Sequence, residues 1–508
     1  MIGIDFGTTN TSIAYMKYDS NWDNYRQENF LFKSKSTIKT LITYKDEDTY
    51  WIGDDALARS YRQPKGFVKS IKRRIIEDEK IYVPYVDKTE VDIVADILSK
   101  LKESIEPQLP LDTEIGGVVV GIPIGFSDIS KNTYLKALTQ SGFFNNIEEA
   151  SKNTIFVSEP IAAVLDYNIS LKDNKNIMVF DFGGGTLDLV IMKMQNISKS
   201  NELGKHDVLA KESGLYLGGD DFDKAILEDI VVEKYGARKL KRDLEIASFD
   251  EIYEVKDGIE LMNAIQIAKE ELSRNKIANI SVLTPTLEID IEITREEFEL
   301  AIQPYIKKIK KSVEACVEQA KMSINSIDAV VLAGGSALVP KVQELLHEIF
   351  GRNKVRVHGD ALTTIARGLA LRGYNLEETD YSDILEHSYG IKIGNSQGSG
   401  TKISTILNKG QKIDEINESD DYFKEFELTD SAKTKNHFRI TVCEDEIEIG
   451  TARIPIEKDL MKNSRFKLIF KIDENLDKLK LEVFDVTRKV NINIPIEEQY
   501  IKINKRGE

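Results

Sequence analysis

Short apolar runs alternate with long amphipathic stretches over the first three quarters of the chain. The apolar runs include "IGGVVVGIPI", "NIMVFDFGGG" and "AVVLAGGSALVP", and the amphipathic stretches include "VADILSKLKESI" and "GIELMNAIQIAKEEL". Runs of the first kind predict buried strands, and apolar residues that recur every three to four positions predict helices. Strands alternating with helices at this spacing are typical of a layered α/β domain, which we place at residues 1–373.

A two-residue repeat of apolar positions follows the polar, acidic segment 374–382. Three runs carry it: Leu468, Phe470 and Ile472; Leu479, Leu481 and Val483; and Val490, Ile492 and Ile494. Such a repeat marks one face of a strand, and turn-forming residues separate the runs. The sequence therefore predicts a small antiparallel β-sandwich domain at 383–508, joined to the first domain by a linker at 374–382.

Composition and charge narrow the class of protein. The 508 residues are 41% hydrophobic and 30% charged, which is enough apolar material for large cores, and the net charge of −16 opposes binding to nucleic acid. We expect no membrane association and a cytoplasmic location, because no leader is visible and the longest uncharged run, 115–126, is about half of what a bilayer needs. Cys316 and Cys443 match no metal motif and are expected to be buried core residues.

One local pattern occurs twice, as "MIGIDFGTTN" at the start and as "IMVFDFGGGT" near residue 181. Each has an apolar strand ending in a carboxylate, then a turn of small residues, then another strand, so each predicts a hairpin. Small residues at a hairpin tip let backbone N–H groups approach phosphate oxygens. A carboxylate beside them would repel phosphate, but it suits a hydrated Mg²⁺ ion. The repeat therefore predicts two equivalent lobes that hold one polyphosphate between them.

Two further glycine pairs follow predicted strands. Gly334, Gly335 and Ser336 in "VVLAGGSALVP" would let a flat nucleoside approach the backbone, and Gly218 and Gly219 in "LYLGGDDFD" precede a helix N-terminus, which favours anions. A single glycine pair after a strand is more often only a tight turn than a ligand-binding site. No Walker loop and no dinucleotide-binding G-x-G-x-x-G is present, and the "DFG" at 181–183 has no accompanying H-R-D kinase loop.

These motifs resemble, in order, those of the heat shock protein 70 chaperones of the DnaK type, within the actin and sugar-kinase ATPase superfamily. The segments that carry the resemblance are "IGIDFGTTNTSIA", "VSEPIAAVLDY", "DFGGGTLDLVI", "YLGGDDFD" and "VVLAGGSALVPKVQ". The resemblance implies an actin-like (ribonuclease-H-like) two-lobed ATPase domain, followed by a β domain that binds peptide. It also implies ATP or ADP with Mg²⁺, and optionally K⁺, as ligands.

The resemblance also assigns roles to residues by position. It implies that Lys72, Glu159, Asp188 and Thr186 are catalytic and that Asp5 and Asp181 hold the metal. Those implied to bind the nucleotide are Gly7, Thr8, Thr9, Asn10, Gly183, Gly184, Gly185, Gly218, Gly219, Gln266, Lys269, Ser273, Gly334, Gly335, Ser336 and Leu338. Pro123 and Lys131 resemble a relay that reports nucleotide state to the β domain, and Phe438 falls near the peptide pocket.

The chain departs from the family pattern at several positions. Gln266 replaces a glutamate, and Leu338 replaces an arginine that stacks on adenine, which removes a contact of order 1 kcal/mol. Lys131 keeps the charge of the usual arginine without its planar fork. The linker "YNLEETDYS" lacks the usual leucine run, and no helical lid is expected after the β domain. Coupling between the domains is therefore expected to be altered.

Three functions remain open at this point. The first is an ATP-dependent chaperone for extended or unfolded polypeptide, with J-domain proteins and nucleotide-exchange factors as partners that the altered linker argues against. The second is a nucleotide-gated regulatory or scaffold protein with one dedicated partner and a slow ATPase. The third, a small-molecule kinase of the same superfamily, is disfavoured by the β domain and by "YLGGDDFD".

Overall fold

A computed structural model of the protein describes residues 1–19, 24–76, 81–110, 113–167, 175–194, 206–357, 360–374, 381–394, 401–427, 437–445, 447–455, 465–473 and 478–492. Its strands are, in chain order, β1 (Ile2–Phe6), β2 (Asn10–Asp19), β3 (Asn24–Asn29), β4 (Ile38–Lys39), β5 (Ile42–Tyr44), β6 (Tyr50–Ile52), β7 (Phe67–Val68), β8 (Val118–Ile122), β9 (Thr154–Ser158), β10 (Lys175–Phe182), β11 (Leu187–Met194), β12 (His206–Leu215), β13 (Ile277–Leu283), β14 (Glu288–Thr294), β15 (Ala329–Ala333), β16 (Val355–Val357), β17 (Tyr381–Ser382), β18 (Tyr389–Gly394), β19 (Thr401–Leu407), β20 (Phe423–Glu427), β21 (His437–Glu444), β22 (Ile447–Pro455), β23 (Arg465–Asp473), β24 (Lys478–Asp485) and β25 (Val490–Ile492).

Helices follow most of the strands in the first three quarters of the chain. They are α1 (Gly53–Ser60), α2 (Ile71–Ile76), α3 (Glu90–Ile105), α4 (Asp128–Gln140), α5 (Ile147–Asn153), α6 (Glu159–Tyr167), α7 (Gly219–Ala225), α8 (Val232–Tyr235), α9 (Ala237–Leu244), α10 (Lys256–Leu272), α11 (Arg295–Ala301), α12 (Gln303–Gln319), α13 (Pro340–Phe350), α14 (Thr364–Tyr374) and α15 (Ile413–Glu418). Short 3₁₀ turns lie at Pro64–Gly66, Glu106–Gln108, Phe249–Glu254, Ile324–Ser326 and Gly335–Leu338, and a π-helical turn lies at Ile226–Val231.

Local sequence explains these elements. β1 and β10 are continuous apolar runs because helices cover both faces of their sheets, whereas β13 and β14 alternate buried and exposed residues because only one face is covered. Helix α3 begins at a capping box in which Thr89 and Asp92 satisfy each other's backbone N–H groups. The predicted helices "VADILSKLKESI" and "GIELMNAIQIAKEEL" are confirmed as parts of α3 and α10.

Two sheets with the same connectivity form the two lobes. The first has the order β3-β2-β1-β8-β9, with β4 beside β2, and the second has the order β16-β15-β10-β11-β12-β17. In each sheet an antiparallel hairpin, β1–β2 or β10–β11, has an antiparallel strand on one side and parallel strands on the other. The two equivalent lobes and their paired hairpins were predicted from the repeated turn, and this arrangement is confirmed.

The two lobes exchange helices. Helix α6, which follows the first sheet in the chain, packs on β10 and β11 of the second sheet, while α14, which follows the second sheet, packs on β1 and β2 of the first. The two helices also cross each other closely: a Cβ atom added to Gly368 would lie 1.8 Å from the carbonyl oxygen of Ala162. Only glycine permits this approach of two backbones.

The last part of the chain forms two packed four-stranded sheets, in the orders β19-β18-β21-β22 and β20-β23-β24-β25. They share one apolar core, to which β23 and β24 contribute the predicted inward residues Leu468, Phe470, Leu479 and Leu481. The predicted inward position of Val490 is wrong: this residue is 45% exposed on β25, the edge strand of its sheet as far as the structure describes it, and Ile494 lies outside the described residues. The predicted order of an α/β domain followed by a small antiparallel β-sandwich is confirmed.

The predicted linker begins where α14 ends, at Tyr374, and residues 375–380 lie outside the described residues. Residues 381 and 382 pair as β17 with β12 of the second lobe, so the end of the predicted linker is a strand of the lobe sheet. The domain boundaries otherwise stay a prediction. Among the helices that the structure describes, none combines the length and apolar character needed to cross a bilayer. Cys316 and Cys443 are both buried, as predicted.

Candidate active site

The two repeated turns meet between the lobes. A Cβ atom added to Gly184 would lie 1.9 Å from Thr9 Oγ1, and one added to Gly185 would lie 2.7 Å from Thr8 Oγ1. The tip of the β10–β11 hairpin is therefore packed directly against the tip of the β1–β2 hairpin. This contact gives the arrangement that the repeated sequence implied, with two small-residue turns facing each other.

Four carboxylates and one ammonium group are buried beside these turns. Asp5 lies near the end of β1, Asp181 near the end of β10, Asp188 opposite it on β11, and Glu159 begins α6; each is at most 8% exposed. Lys72, on α2, is 2% exposed and its ammonium group donates to the Glu159 carboxylate. The structure thus brings together the acidic and basic residues that the resemblance selected.

Burial and mutual repulsion raise the pKa values of three of these carboxyl groups. Burial, followed by the charge of Glu159, raises the pKa of Asp5 to about 7 and that of Asp188 to about 8, although Lys72 opposes both shifts. The pKa of Asp181 is raised for the same reasons, with Asp188 and Asp5 contributing. Burial lowers the pKa of Lys72, but Glu159 and Asp5 outweigh it and the pKa is raised. The site therefore has more carboxyl groups than Lys72 can pair with, and the surplus groups tend to keep their protons while no cation is bound.

This excess of buried carboxylate fits a divalent cation. Within the described residues, Asp188 Oδ2 is buried without a hydrogen-bond partner. No group of three or more His, Cys, Asp or Glu residues with metal-binding geometry occurs in the described part of the chain. That finding excludes an all-protein cage there but not a hydrated Mg²⁺, which usually takes one or two carboxylates, several waters and substrate phosphates. The assignment of this ion to Asp5 and Asp181 stays a prediction.

A cavity of about 1040 Å³ opens from the two turns into the second lobe. Ten of the predicted nucleotide-binding residues line it: Thr9, Asn10, Gly184, Gly219, Gln266, Lys269, Ser273, Gly335, Ser336 and Leu338. The cavity is large enough for a nucleotide. Its assignment to a nucleotide stays a prediction, since the lining shows space and chemistry only.

The other predicted residues shape the walls or lie next to them. Gly183 donates its N–H to Thr186 O, which closes the turn, and Gly183 O accepts from Gly219 N and Ser336 Oγ. Gly334 adopts a φ of 78°, which glycine favours and which places it against the carbonyl of Phe182. Gly7 and Thr8 lie in the first turn, Gly185 lies in the second, and Gly218 contacts Gly184.

Gln266, Lys269 and Leu338, predicted to lie near the base, all line the cavity, and their roles there stay predictions. Lys269 pairs with Asp223 at 2.8 Å and donates to Gly219 O at 2.8 Å, while Gln266 donates to Glu270. The sequence reasoning missed two arginines of the same lining, Arg274 and Arg352. They could not be found from the sequence because neither belongs to a motif.

A chain of hydrogen bonds leads from Asp188 to the β-sandwich. Asp188 accepts from the N–H of Ile124 at 3.2 Å, and the next N–H, of Gly125, donates to Glu386 at 2.6 Å. Glu386 and Asp383 both pair with Lys211, which is 3% exposed, at 2.8 Å. Burial would raise the pKa of Glu386, but Lys211 and Lys131 outweigh it and lower the pKa to about 2. The carboxylate is therefore ionised at neutral pH.

These bonds pass through the segment that the sequence selected as a relay. Pro123 immediately precedes Ile124, and Lys131 is buried on α4, 3.8 Å from Asp128. Sequence reasoning missed Lys211 and Glu386, which carry the contact to the β domain. Phe438 lies in β21 opposite Ile454, and its side chain lies outside what the structure describes.

The raised pKa values predict a pH dependence of stability. In the metal-free folded protein Asp5 and Asp188 keep their protons up to about pH 7 and about pH 8, whereas in the unfolded chain they lose them near pH 4. Between about pH 4 and pH 8 the folded state therefore binds more protons than the unfolded chain. These two groups consequently make the free energy of unfolding fall as pH rises. Mg·ADP bound at the predicted site would take the place of those protons, so it should stabilise the protein more at pH 8 than at pH 6.

Thermal unfolding with and without Mg·ADP at pH 6, 7 and 8 measures this difference. Asp5→Asn removes one titrating group and should flatten the pH dependence of the apo protein. Glu425→Gln, at an exposed position of β20, is the matched control and should leave it unchanged. An equal stabilisation at pH 6 and pH 8 would contradict the prediction.

Comparison with known proteins agrees with the resemblance. The family model described as "Hsp70 protein" matches residues 1–451. Relatives include the chaperone protein DnaK of Thermosipho africanus, 30% identical over 364 residues, covering 70% of this chain and 56% of the relative. DnaK of Thermosipho melanesiensis is 29% identical over 383 residues (73% and 58%), and that of Thermotoga neapolitana 28% over 362 residues (69% and 55%). The chain thus spans a little over half the length of these curated relatives in each match.

Proposed function

Because the chain belongs to the Hsp70 family, whose members are chaperones with an actin-like two-lobed ATPase domain, we propose that it hydrolyses ATP to control the binding of extended or unfolded polypeptide. The observation that carries this proposal is the meeting of the two hairpin turns beside four buried carboxylates and Lys72, while Thr9 and Gly184 of these turns line a nucleotide-sized cavity. The β-sandwich is the part that would bind peptide.

The site contains the parts that phosphoryl transfer needs, which are chiefly positioning and electrostatic stabilisation. Backbone N–H groups of the two turns would hold the phosphate oxygens. Lys72 would neutralise charge at the γ-phosphate and orient the attacking water, while Glu159, Asp188 and Thr186 would position that water and accept its proton. Mg²⁺ held by Asp5 and Asp181 supplies the charge neutralisation of the phosphates.

Asp188 is a candidate for proton transfer because of its position. Burial brings its pKa to about 8 in the metal-free protein, and a bound cation would lower it, which favours the carboxylate that can accept a proton. The N–H of Ile124 holds one of its oxygens, and the Thr186 side chain also interacts with the carboxylate. Asp188 and Thr186 would then contact the water together.

The base and ribose would lie between α10 and the turn Gly334–Leu338. Lys269 and Ser273 provide polar groups there, and Leu338 provides an apolar wall in place of the guanidinium that stacks on adenine elsewhere in the family. We propose ATP and ADP as the ligands. Adenine then loses one cation–π contact, worth of order 1 kcal/mol.

The bond chain from Asp188 to Glu386 supports coupling between the nucleotide and the β domain. A change in the position of Asp188 during hydrolysis would be felt at Ile124 and Gly125, and hence by the Glu386 carboxylate. Through this contact the nucleotide site could influence the β domain without the leucine run that the linker lacks. J-domain proteins and nucleotide-exchange factors, the partners of the family, are proposed partners of this chain.

A regulatory or scaffold protein with one dedicated partner is the second candidate. The buried pairs of Lys211 with Asp383 and Glu386 favour it, because they dock the two domains firmly and would oppose frequent release. The two candidates differ in the range of peptides bound and in the response to ATP.

Release of labelled apolar peptides of unrelated sequence, measured with and without ATP beside phosphate production, tests the proposal. We expect ATP to accelerate release by roughly 5- to 150-fold, the usual range of allosteric coupling. Glu386→Gln should remove most of this acceleration, because it weakens the charged contact with Lys211, whereas the exposed Glu425→Gln is the matched control. Binding of a single peptide class without any effect of ATP would favour the scaffold function.

A further inference from the structure

A cluster of charged side chains crosses the cleft next to Lys72. Lys69 Nζ lies 3.3 Å from Asp220 Oδ1 and donates to Tyr253 OH at 3.0 Å, and Ser70 Oγ donates to Asp220 Oδ2. Lys69 and Ser70 join β7 to α2 in the first lobe. Asp220 is the second residue of α7, and Tyr253 lies in the 3₁₀ turn before α10, both in the second lobe.

The cluster is bonded to both halves of the site. Its first-lobe side immediately precedes α2, so Ser70 is two residues from Lys72. On the second-lobe side the backbone N–H of Asp220 donates to Gly184 O at 2.9 Å, in the turn that meets Thr9. Asp220 therefore links the segment that carries Lys72, through its carboxylate, to the small-residue turn of the opposite hairpin, through its backbone N–H.

The backbone of Ser70 adds a second observation. Its φ is 52°, a left-handed conformation that a residue other than glycine adopts only at a cost. Such strain persists only where the surroundings hold the residue, and the hydroxyl of Ser70 is bonded to Asp220. Ser70 immediately precedes α2, the helix that carries Lys72.

The charges of the cluster are matched. Burial would raise the pKa of Asp220, but Lys69 and the Ser70 hydroxyl outweigh it and the pKa is lowered. Burial likewise lowers the pKa of Lys69, but Asp220 and Tyr253 outweigh it and the pKa is raised. Both groups are thus ionised at neutral pH. Arg73, one residue after Lys72, adds a parallel ion pair with Asp221 at 2.9 Å.

We propose that Lys69 and Ser70 are positioning residues that clasp Asp220 across the cleft, hold the Lys72 segment against the phosphate-binding turn and slow the departure of the nucleotide. This inference rests on the proposed ATP site. Neither residue reaches the reacting atoms, so their removal acts through Lys72 and through the opening of the lobes.

The test compares Lys69→Met, Ser70→Ala and Asp220→Asn in the full chain. Dissociation of a fluorescent ADP analogue and single-turnover hydrolysis of ATP are the two readouts. Each variant should release the analogue about tenfold faster or more, and hydrolyse ATP about tenfold more slowly, as expected for loss of a buried hydrogen bond to a charged group. Lys69→Arg keeps the positive charge, so its rates of analogue release and of ATP hydrolysis should stay close to those of the unaltered protein. Lys65→Met, at an exposed lysine four residues earlier, is the matched control.

A double-mutant cycle separates positioning from general destabilisation. Ser70→Ala and Asp220→Asn should be strongly non-additive in the dissociation rate, because they break the same bond. Suppose that the unaltered protein hydrolyses ATP but that Lys69→Met and Ser70→Ala release the ADP analogue and hydrolyse ATP at the same rates as it does. This result would overturn the clasp and leave the proposed function standing. Effects that simply add, or that follow the melting temperature of the apo variants, would also overturn it. An unaltered protein that neither binds the ADP analogue nor hydrolyses ATP would overturn the proposed function, and the clasp with it.

Discussion

Replacing Lys72 with alanine should lower the single-turnover rate of ATP hydrolysis by roughly 100- to 1,000-fold while ATP remains bound. Removing one preorganised charge-stabilising group from an active site costs about 3 to 4 kcal/mol in the barrier. Lys72 is the buried cation among Asp5, Glu159, Asp181 and Asp188, so no other lysine in the described geometry shares its place. Rapid-quench hydrolysis and equilibrium binding of ATP measure the two effects separately.

The alanine variant also leaves the Glu159 carboxylate buried without its partner, which can cost several kcal/mol of stability. The double variant Lys72→Ala/Glu159→Gln removes that uncompensated charge, and its comparison with Glu159→Gln alone isolates the effect of Lys72 if the single Lys72 variant unfolds. Lys65→Ala, an exposed lysine near the same segment, should hydrolyse ATP normally. A folded Lys72 variant with unchanged turnover would refute the assignment of this residue.

A methyl group on Gly184 should have the second largest effect. The Cβ atom of Gly184→Ala would lie 1.9 Å from Thr9 Oγ1, so one of the two facing turns has to move. A misplacement of about 1 Å in an active site can cost about 100-fold in rate, and we expect a loss of hydrolysis of at least that order together with weaker ATP binding. Titration of the fluorescent ADP analogue and single-turnover hydrolysis detect both.

Two other glycines serve as controls for this variant. Gly116→Ala has no atom within 4 Å of its new methyl group, lies away from the turns and should behave as the unaltered protein. The new methyl group of Gly183→Ala also meets no protein atom within 4 Å, so the apo protein should keep its stability. If this variant loses ATP binding, the bound ligand must occupy the space next to Gly183. Normal binding by Gly184→Ala would mean that the two turns do not hold one ligand.

The lobes and their hairpins could be predicted because their signal is local. An apolar strand, a carboxylate and a small-residue turn occupy about ten consecutive residues, and each half of the repeat can be recognised without knowing the other. The β-sandwich was predictable for the same reason, since alternation along β23 and β24 follows directly from burial of one face.

The contacts between lobes and between domains could not be predicted, because their partners lie far apart in the chain. Lys69 and Asp220 are separated by 151 positions, and Lys211 and Glu386 by 175. Each is an ordinary charged residue in its local sequence, where a solvated surface position is the better expectation. Only the fold shows that these charges are buried opposite one another. The pairing of residues 381 and 382 with β12 was not predicted for the same reason, since the two strands are far apart in the chain.

The crossing of α6 and α14 determines how the molecule can open. At Gly368 the two helix backbones touch with no side chain between them, so sliding of one helix along the other would meet carbonyl oxygens at once, whereas rotation about the crossing point would not. We therefore expect the two sheets, each contacted by one exchanged helix, to open by rotation about this crossing. Since Glu159 begins α6, a small rotation of this kind would withdraw its carboxylate from Lys72.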